Sequence, residues 1–331
     1  MQIFKHTNFD FLRWRWHAIA LSWVVIIAGA IVFFTRGMPL AIEFAGGTAV
    51  IAEFEPSVHI EQVRAAVAKT FCQDVAVQTF GDPGQHQFMI RVPHVGAEAG
   101  ASLSNTKQQV LDALKQGNVG SFKEIGAEVV GPAVGQELRS RGLWATALSL
   151  VGILGYIAFR FQFSFGVGAV VATIHDLLVT FAFIVIFRYD MSLNVIAAIL
   201  TMTGYSTNDT IVIFDRIREN LRSMRRDSLN QVINISVNQT LGRTVITSGT
   251  ALLTALALFF FGGEVLHGFA FTMVVGIITG TYSSVFIAAA IVSFWRGGGP
   301  MRAATHAPAT TVVAPQQPTR RSKPQRKARA S

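Results

Sequence analysis

The amino-acid sequence predicts an α-helical polytopic membrane protein with six transmembrane helices and an extracytoplasmic α+β domain between the first two. Only 14% of its 331 residues are charged, whereas soluble domains carry about 25%. The mean hydropathy is +0.43, and the apolar residues are gathered in six long runs. These properties argue against a single water-soluble enzyme.

Each apolar run is long enough for a helix to cross the hydrocarbon core of a bilayer, which takes about 20 residues, with a range of about 17–25. The runs are Ala18–Thr35, Leu143–Phe159, Phe161–Phe187, Met191–Asn208, Thr244–Gly263 and Val265–Trp295. The first run is longer than the apolar part of a signal peptide, about 7–15 residues, and no A-x-A-like cleavage site follows it. We therefore expect it to be a permanent membrane anchor.

The distribution of Lys and Arg predicts that both termini lie in the cytoplasm, since basic loops favour that side. The connection between helices 4 and 5 is rich in Arg, and the residues from Arg296 to Ser331 include eight Lys or Arg and no Asp or Glu. We divide the chain into an N-terminus with helix 1 (1–36), an extracytoplasmic domain (37–141), helices 2–6 (142–295) and a basic tail (296–331).

The extracytoplasmic segment shows the alternation of strands and helices that is typical of a ferredoxin-like βαββαβ unit. The predicted elements are, in order, a strand at Thr48–Glu55, a helix at His59–Phe71, strands near Asp74–Phe80 and at Gln87–Val92, a helix near Leu103–Gln116 and a strand at Phe122–Val130. Gly81–Gly84 supplies the turn between the two middle strands.

The net charge of +9 is a property of the tail, because the rest of the chain is close to neutral. We expect the tail to be disordered, since it has too few apolar residues to form a core. A solvated tail is the favoured interpretation, and attraction to anionic membrane lipid or ribosomal RNA is the alternative. No nucleic acid is expected as a specific partner of the protein.

Ionisable residues within apolar runs mark functional positions in membrane proteins, because their insertion is unfavourable. His175 and Asp176 interrupt helix 3, and Asp209 interrupts helix 4, next to Asn208. Arg243 precedes the run of helix 5 at a depth that matches Asp209, so the two side chains are candidates for an ion pair. A proton relay is favoured over a static buried pair, but the residues alone leave both open.

A stripe of apolar residues after helix 4 and the absence of several catalytic motifs bear further on structure and function. Helical spacing of apolar residues indicates a helix lying along the cytoplasmic interface over 228–244, with Leu229, Val232, Ile233, Val237 and Leu241 on one face. Simple cover of the bundle is the favoured role, and transfer of motion from helix 4 to helix 5 is the alternative. No Walker-type phosphate loop and no His-Glu-x-x-His motif occurs. The single cysteine, Cys72, excludes an internal disulfide. We therefore expect no catalytic residues, no metal and no cofactor.

Six segments of the chain carry a resemblance to a known family. They are Ile42–Thr48, Val130–Leu138, His175–Thr180, Tyr205–Asn220, Gln239–Thr244 and Gly280–Ser284. Together they are similar to the SecF family of bacterial protein-export subunits, which belongs to the resistance–nodulation–division superfamily. The segment in helix 4 is long and specific. One departure is Glu43, where the family usually has Asp before Phe-x-Gly-Gly-Thr.

The resemblance implies a subunit of the bacterial inner membrane that works with SecD. Such a subunit uses the proton gradient to assist preproteins through the SecYEG channel, with YajC as a further partner, and it is not an enzyme. It also implies that Asp209 and Arg243 take part in proton movement. With Asn208, His175 and Asp176, they form the predicted proton-transport residues.

Three other functions are weaker alternatives. A proton-driven small-molecule exporter of the same superfamily generally has twelve helices and two large outer domains, whereas this chain has six predicted helices and one such domain. An intramembrane aspartyl protease would need Asp176 and Asp209 to share a proton, and the Gly-x-Gly-Asp pattern of such enzymes is missing. A pure scaffold is disfavoured by the acid within helix 4.

Overall fold

The computed structural model describes residues 8–71, 75–81, 83–92, 101–160 and 163–297. The predictions for Cys72 and for most of the basic tail fall outside these residues. The protein is mostly helical and contains one small antiparallel sheet. The helices are α1 (Arg15–Arg36), α2 (Ile42–Ala45), α3 (Ile60–Thr70), α4 (Ala101–Gln116), α5 (Pro132–Arg160), α6 (Phe163–Ile186), α7 (Leu193–Ser223), α8 (Leu229–Phe261), α9 (Glu264–Ser283) and α10 (Ala289–Gly297).

Five segments in the described part of the chain are long and apolar enough to cross a membrane. They are Phe11–Arg36, Ala133–Arg160, Phe165–Ile186, Leu229–Phe261 and Val265–Phe294. The helix α7 has 31 residues and therefore the necessary length, but polar residues occupy its centre. Its place as a sixth membrane helix stays a prediction.

The four strands form one antiparallel sheet in the order β2-β3-β1-β4. They are β1 (Gly47–Phe54), β2 (Ala76–Phe80), β3 (Gln87–Val92) and β4 (Phe122–Val130). Every strand and helix predicted for this region is present, with bounds that differ by at most two residues. The sequence alternation explains this agreement, because every second side chain of β1 points to the same face of the sheet.

One face of the sheet packs against α3 and α4 and forms an apolar core. Val50 of β1 and Ile90 of β3 are paired across the strands and fully buried. Val63 of α3 and Leu114 of α4 complete the centre of this cluster. The opposite face carries Ile51 and other side chains that are only partly buried or exposed.

The long helices form a bundle whose core is built from α6, α7, α8 and the helical segment after α9. Phe165, Phe214, Ile233 and Ala288 are buried there together. The helix α1 packs on α6 at a point where a Cβ on Gly29 would overlap Ala182. Close approach at small residues is the usual way in which membrane helices pack.

The segment predicted to be a helix along the cytoplasmic interface is helical and packs on the bundle, as the favoured interpretation expected, but it is continuous with the next long helix and forms the first part of α8. Ser228 caps the helix: its backbone N–H donates to Gln231 Oε1 at 3.1 Å, and its hydroxyl accepts from the Gln231 N–H. Ile233 and Val237 are buried in the bundle core. The apolar stripe therefore packs against other helices rather than against the membrane surface.

Two further differences concern the ends of the segment predicted to be the extracytoplasmic domain (37–141), hereafter the outer domain. The helix α2 was not predicted, because a four-residue helix has no periodic pattern. The helix α5 runs without a break across the predicted boundary between residues 141 and 142. The division of the chain into domains stays a prediction.

The outer domain contacts the connection between α6 and α7. The Met191 N–H donates to the Pro39 carbonyl at 2.8 Å, and the Ala41 N–H donates to the Met191 carbonyl at 2.9 Å. Arg91 of β3 forms an ion pair of 2.6 Å with Asp190. The residues immediately before α7 are thus bound both to the segment after α1 and to the sheet.

Candidate functional site

Two carboxyl groups lie inside the helical bundle. Asp176 on α6 and Asp209 on α7 are 1% and 5% exposed, and they are the only buried acids among the residues described. Because a buried charge is unfavourable unless it is paired and hydrogen-bonded, the groups around each acid define the candidate site.

Asp176 contacts its neighbour on α6 and a hydroxyl group on α7. His175 Nδ1 lies 2.9 Å from Asp176 Oδ1, and Ser206 Oγ donates to Asp176 Oδ2 at 2.5 Å. The helix α9 approaches closely at this level, since a Cβ on Gly280 would lie 2.7 Å from Ser206 Cβ. Because Gly280 has no side chain, α9 can pack closely against Ser206.

The His175 ring lies beside a hydrogen-bonded group of residues on α9 and α1. The His175 ring lies 6.4 Å from the Tyr282 ring, measured between centroids. Its Nε2 is buried without a hydrogen-bond partner in the described part of the protein. The Tyr282 hydroxyl donates to the Ala18 carbonyl and lies 3.3 Å from Ser22 Oγ. The pair of ionisable residues is thus connected to three other helices.

Asp209 is held by hydroxyl groups from two helical segments. Thr244 Oγ1 on α8 donates to Asp209 Oδ1 at 3.0 Å. The single hydroxyl proton of Ser284 has two acceptors, Asp209 Oδ2 at 3.4 Å and the Thr281 carbonyl at 3.0 Å. Ser284 begins a π-helical turn, Ser284–Ala288. Such turns are rare and occur frequently at functional sites.

The two acids belong to one polar region of the bundle. Ser206 and Asp209 are three residues apart on α7 and therefore lie on the same face, about one turn from each other. Ser283, the last residue of α9, is fully buried and faces Asp176, while the next residue, Ser284, faces Asp209. Hydroxyl groups thus occupy the space between the two carboxyls.

The predicted ion pair between Asp209 and Arg243 is not formed. None of the salt bridges in the described residues includes either side chain. Thr244 faces Asp209, and consecutive residues on an α-helix point about 100° apart. As a result, Arg243 is exposed on another side of α8.

Arg243 instead lines an open cavity of about 870 Å³ at the end of the bundle where α7 ends and α8 begins. Arg216, Arg218 and Arg222 also line it. Val212, which lies three residues from Asp209 along α7, is part of the wall as well. The cavity therefore reaches to within about one helical turn of the buried acid.

The structure thus separates the predicted site residues. His175 and Asp176 are in contact, Asp209 lies about one turn away along the bundle, and Arg243 lies in the open cavity. Asn208 is exposed on the side of α7 that faces away from the Asp209 contacts. The predictions did not include Ser206, Thr244 or Ser284, the hydroxyl groups that bind the acids. Serine and threonine give no distinctive sequence signal in a membrane helix, because they also bond to their own backbone.

Apolar helices that enclose carboxyl and hydroxyl groups define a helical membrane protein with a polar site in its interior. Comparison with known families identifies the family of membrane proteins to which the chain belongs. The family model described as "Protein export membrane protein SecD/SecF, C-terminal" matches residues 109–298, and the SecD/SecF GG motif matches residues 31–58. The chain belongs to the SecF family of protein translocase subunits.

Individual relatives agree with this assignment. The chain is 40% identical to the protein translocase subunit SecF of Desulfurispirillum indicum, an alignment that covers 86% of this chain and 91% of the relative. It is 42% identical to SecF of Magnetococcus marinus, with 88% and 94% covered. It is 36% identical to SecF of Escherichia coli O157:H7, with 86% of each chain covered.

Solved structures show the same fold. SecDF of Thermus thermophilus, described as a translocon-associated membrane protein, is 34% identical and matches with a TM-score of 0.79 over 90% of this chain. A super-membrane-facing form of SecDF is 35% identical and matches with a TM-score of 0.63 over 88%. The chain spans only 40% and 39% of these two SecDF chains.

Proposed function

We propose that this SecF-family protein works with SecD in the bacterial inner membrane and uses the proton gradient to assist preprotein export through SecYEG, with YajC as a further partner. The observation that carries this proposal is Asp209, a buried carboxyl group held by hydroxyls from two other helical segments. Such an arrangement suits a group that binds and releases protons as the helices move. The protein would have no enzymatic activity of its own.

In this proposal Asp209 is the proton carrier. Thr244 and Ser284 both donate to it, so they stabilise its ionised form. A shift of α8 or of the π-helical turn would remove these donors and leave a buried charge, which is so unfavourable that the carboxylate takes up a proton. Restoring the contacts would release the proton. Proton binding is thereby tied to helix position.

The surroundings of Asp209 supply a route on each side. With both termini in the cytoplasm, the cavity that contains Arg243 opens to that side, and Arg243 would act through water in the cavity rather than by direct contact. On the other side, Ser206 and Asp176 lie farther from the cytoplasm, and His175 extends the polar region towards Tyr282. We propose that these groups pass protons between the extracytoplasmic side and Asp209.

The same proposal places α7 as the sixth membrane helix and the sheet domain on the extracytoplasmic side. The element order and the strand order β2-β3-β1-β4 support a ferredoxin-like arrangement for this domain. There it would contact the emerging preprotein together with SecD. Movement of the bundle would then change the position of this domain.

The alternatives are weaker on structural grounds. An aspartyl protease needs two carboxyls that share a proton at about 3 Å, but Asp176 binds His175 and Ser206, while Asp209 binds Thr244 and Ser284. No hydrogen bond between the two acids occurs in the part of the chain that the structure describes. A small-molecule exporter is disfavoured by the SecF relatives, which match over nearly their whole length.

Substitution of Asp209 tests the proposal. Asp209→Asn keeps the size and the hydrogen-bonding capacity of the side chain but removes titration. We expect a stable, SecD-associated protein that has lost the proton-gradient-dependent stimulation of preprotein import into inverted membrane vesicles. The matched control is Asp227→Asn, the same change at an exposed position shortly after α7 and outside the lining of the Arg243 cavity, which should behave as wild type.

Arg243→Met is expected to reduce the same stimulation, because it removes the cation from the cavity. A full gradient response in Asp209→Asn, at wild-type protein levels, would show that Asp209 is only structural and would overturn the proposed mechanism.

A further inference from the structure

The amino end of α7 is bound to the outer domain by a carboxyl group that the proposed proton route does not use. Glu43 lies in α2, and its Oε2 accepts a hydrogen bond from the Leu193 N–H at 3.4 Å. Leu193 is the first residue of α7. The first N–H groups of a helix have no acceptor within the helix, so this contact satisfies a donor that the helix itself cannot.

A carboxylate at this position is also favoured by the electrostatics of the helix. The amino end of an α-helix carries a partial positive charge, which stabilises an ionised acid and has little effect on a neutral one. Ser192 already caps another donor, the Val195 N–H, at 3.2 Å. Glu43 therefore adds a charge-dependent contact to a cap that does not itself depend on pH.

The surroundings of Glu43 contain charges of both signs. The acidic, basic and histidine side chains that line the cavity of about 170 Å³ beside Glu43 are Arg91 on β3, Glu128 on β4, Asp190 before α7 and His267 on α9. The lining residues of β1 and β2 are uncharged. On α5, Glu137 and Arg141 pair with each other and are largely exposed.

Burial raises the pKa of Glu43 above its ordinary value, the Leu193 hydrogen bond lowers it, Glu128 raises it, Arg91 lowers it and Asp190 raises it. The net direction is upward, because burial is the largest of these effects.

We propose that Glu43 is a second proton-binding site, on the extracytoplasmic side, which holds the amino end of α7 when it is ionised and releases it when it is protonated. This inference rests on the proposed function, since it assumes that α7 carries the proton site. Arg91 and Asp190 stay paired in both states, so the outer domain remains attached while one contact changes.

The direction of the effect follows from the chemistry. Above the pKa of Glu43 the ionised carboxylate accepts from Leu193; as the outer pH falls through that pKa, the neutral carboxyl group retains only a weaker, uncharged acceptor and the contact loosens. The outer side is the acidic side of the proton gradient. A strong gradient would thus free the amino end of α7. Asp209 lies on the same helix, sixteen residues further on, which is about 24 Å along the helix axis.

The first test observes the contact itself in the full chain associated with SecD. The probe is the amide resonance of Leu193 in protein labelled with ¹⁵N-leucine, assigned by comparison with Leu193→Ile. We expect a single pH-dependent step in wild type and no step in Glu43→Gln. Glu128→Gln, the same change at another acid of the same cavity, should keep the step, and so should Glu43→Asp.

The pH titration of the Leu193 resonance can either support or overturn the proposal. A Leu193 resonance that does not titrate in wild type, or that still titrates in Glu43→Gln, would overturn the proposal. Loss of the step only in Glu43→Gln supports it. This measurement does not depend on export activity, so it remains decisive even if Asp209→Asn shows that the proposed proton carrier is wrong.

The second test asks whether the site contributes to export. Preprotein import into inverted vesicles is compared between wild type and Glu43→Gln at several lumenal pH values and at a constant pH difference across the membrane. We expect the ratio of the two activities to change with lumenal pH, while Glu43→Gln still responds to the gradient. A constant ratio would show that Glu43 has no part in the proton-driven step.

Discussion

The outer domain and the helical bundle place their polar groups in opposite locations. In the outer domain, the buried cluster around Val50 and Ile90 is apolar, and the ion pair of Lys107 with Glu124 is about one-third exposed. In the bundle, large apolar side chains such as Val24 and Leu148 are exposed on the outer surface. The acids and their hydroxyl partners lie inside.

This difference shows that the two regions are stabilised by different forces. The outer domain folds because water disfavours exposed apolar surface. Lipid chains give no such driving force between helices, so the bundle depends on close packing at small residues and on hydrogen bonds between helices. The loss of an apolar contact, or of a polar contact, should therefore change stability by different amounts in the two regions.

The largest effect on stability is expected in the core of the outer domain. We predict that a fragment spanning residues 40–137 is soluble and unfolds cooperatively. Ile90→Ala should lower its free energy of unfolding by about 2–5 kcal/mol, because it removes a fully buried side chain and leaves a cavity. Thermal or urea unfolding followed by circular dichroism measures this loss. A fragment without cooperative unfolding would mean that the domain needs the bundle.

An intermediate effect is expected where the bundle is most tightly packed. Gly280→Ala adds one methyl group that would meet Ser206 at 2.7 Å, and such overpacking costs about 1–3 kcal/mol. Because Ser206 donates to Asp176, gradient-driven import should fall as well. Gly152→Ala is the control, since nothing lies within 4 Å of a Cβ there. Equal import by both variants would contradict the role of close packing at this contact.

The smallest effect is expected for the partly exposed ion pair of the outer domain. Lys107 Nζ lies 2.5 Å from Glu124 Oε1, but surface ion pairs contribute only about 0–1 kcal/mol. Lys107→Met should therefore change the unfolding free energy of the 40–137 fragment by less than about 1 kcal/mol. A loss comparable to that of Ile90→Ala would show that polar contacts matter as much in this domain as in the bundle.

The sequence predicted the outer domain well because strand alternation and turn residues are local signals. The strands Gln87–Val92 and Phe122–Val130 have the predicted bounds. The extent of α8 was missed, since the same apolar stripe fits a helix on a membrane surface and a helix buried in a bundle. Only tertiary packing distinguishes these two cases.

Prediction of the candidate site was partial for a related reason. Asp176 and Asp209 were recognisable because charged residues are rare in apolar runs. The partner of Asp209 was predicted from depth alone, which does not determine the direction in which a side chain points around its helix. The difference of about 100° between Arg243 and Thr244 therefore decided which of the two meets the acid.

The π-helical turn at Ser284–Ala288 has a consequence for the far end of the bundle. A π turn contains more residues than an α turn, so its conversion to an α turn would rotate the two halves of the helix relative to each other by about 100°. If the half that contains Ser284 turned, Ser284 would leave Asp209; if the other half turned, Ser293, which donates to Asn230 on α8 at 2.7 Å, would leave its partner. A change of helical register at one turn would thus link the hydrogen bonds of the buried Asp209 to those of Ser293 further along the helix.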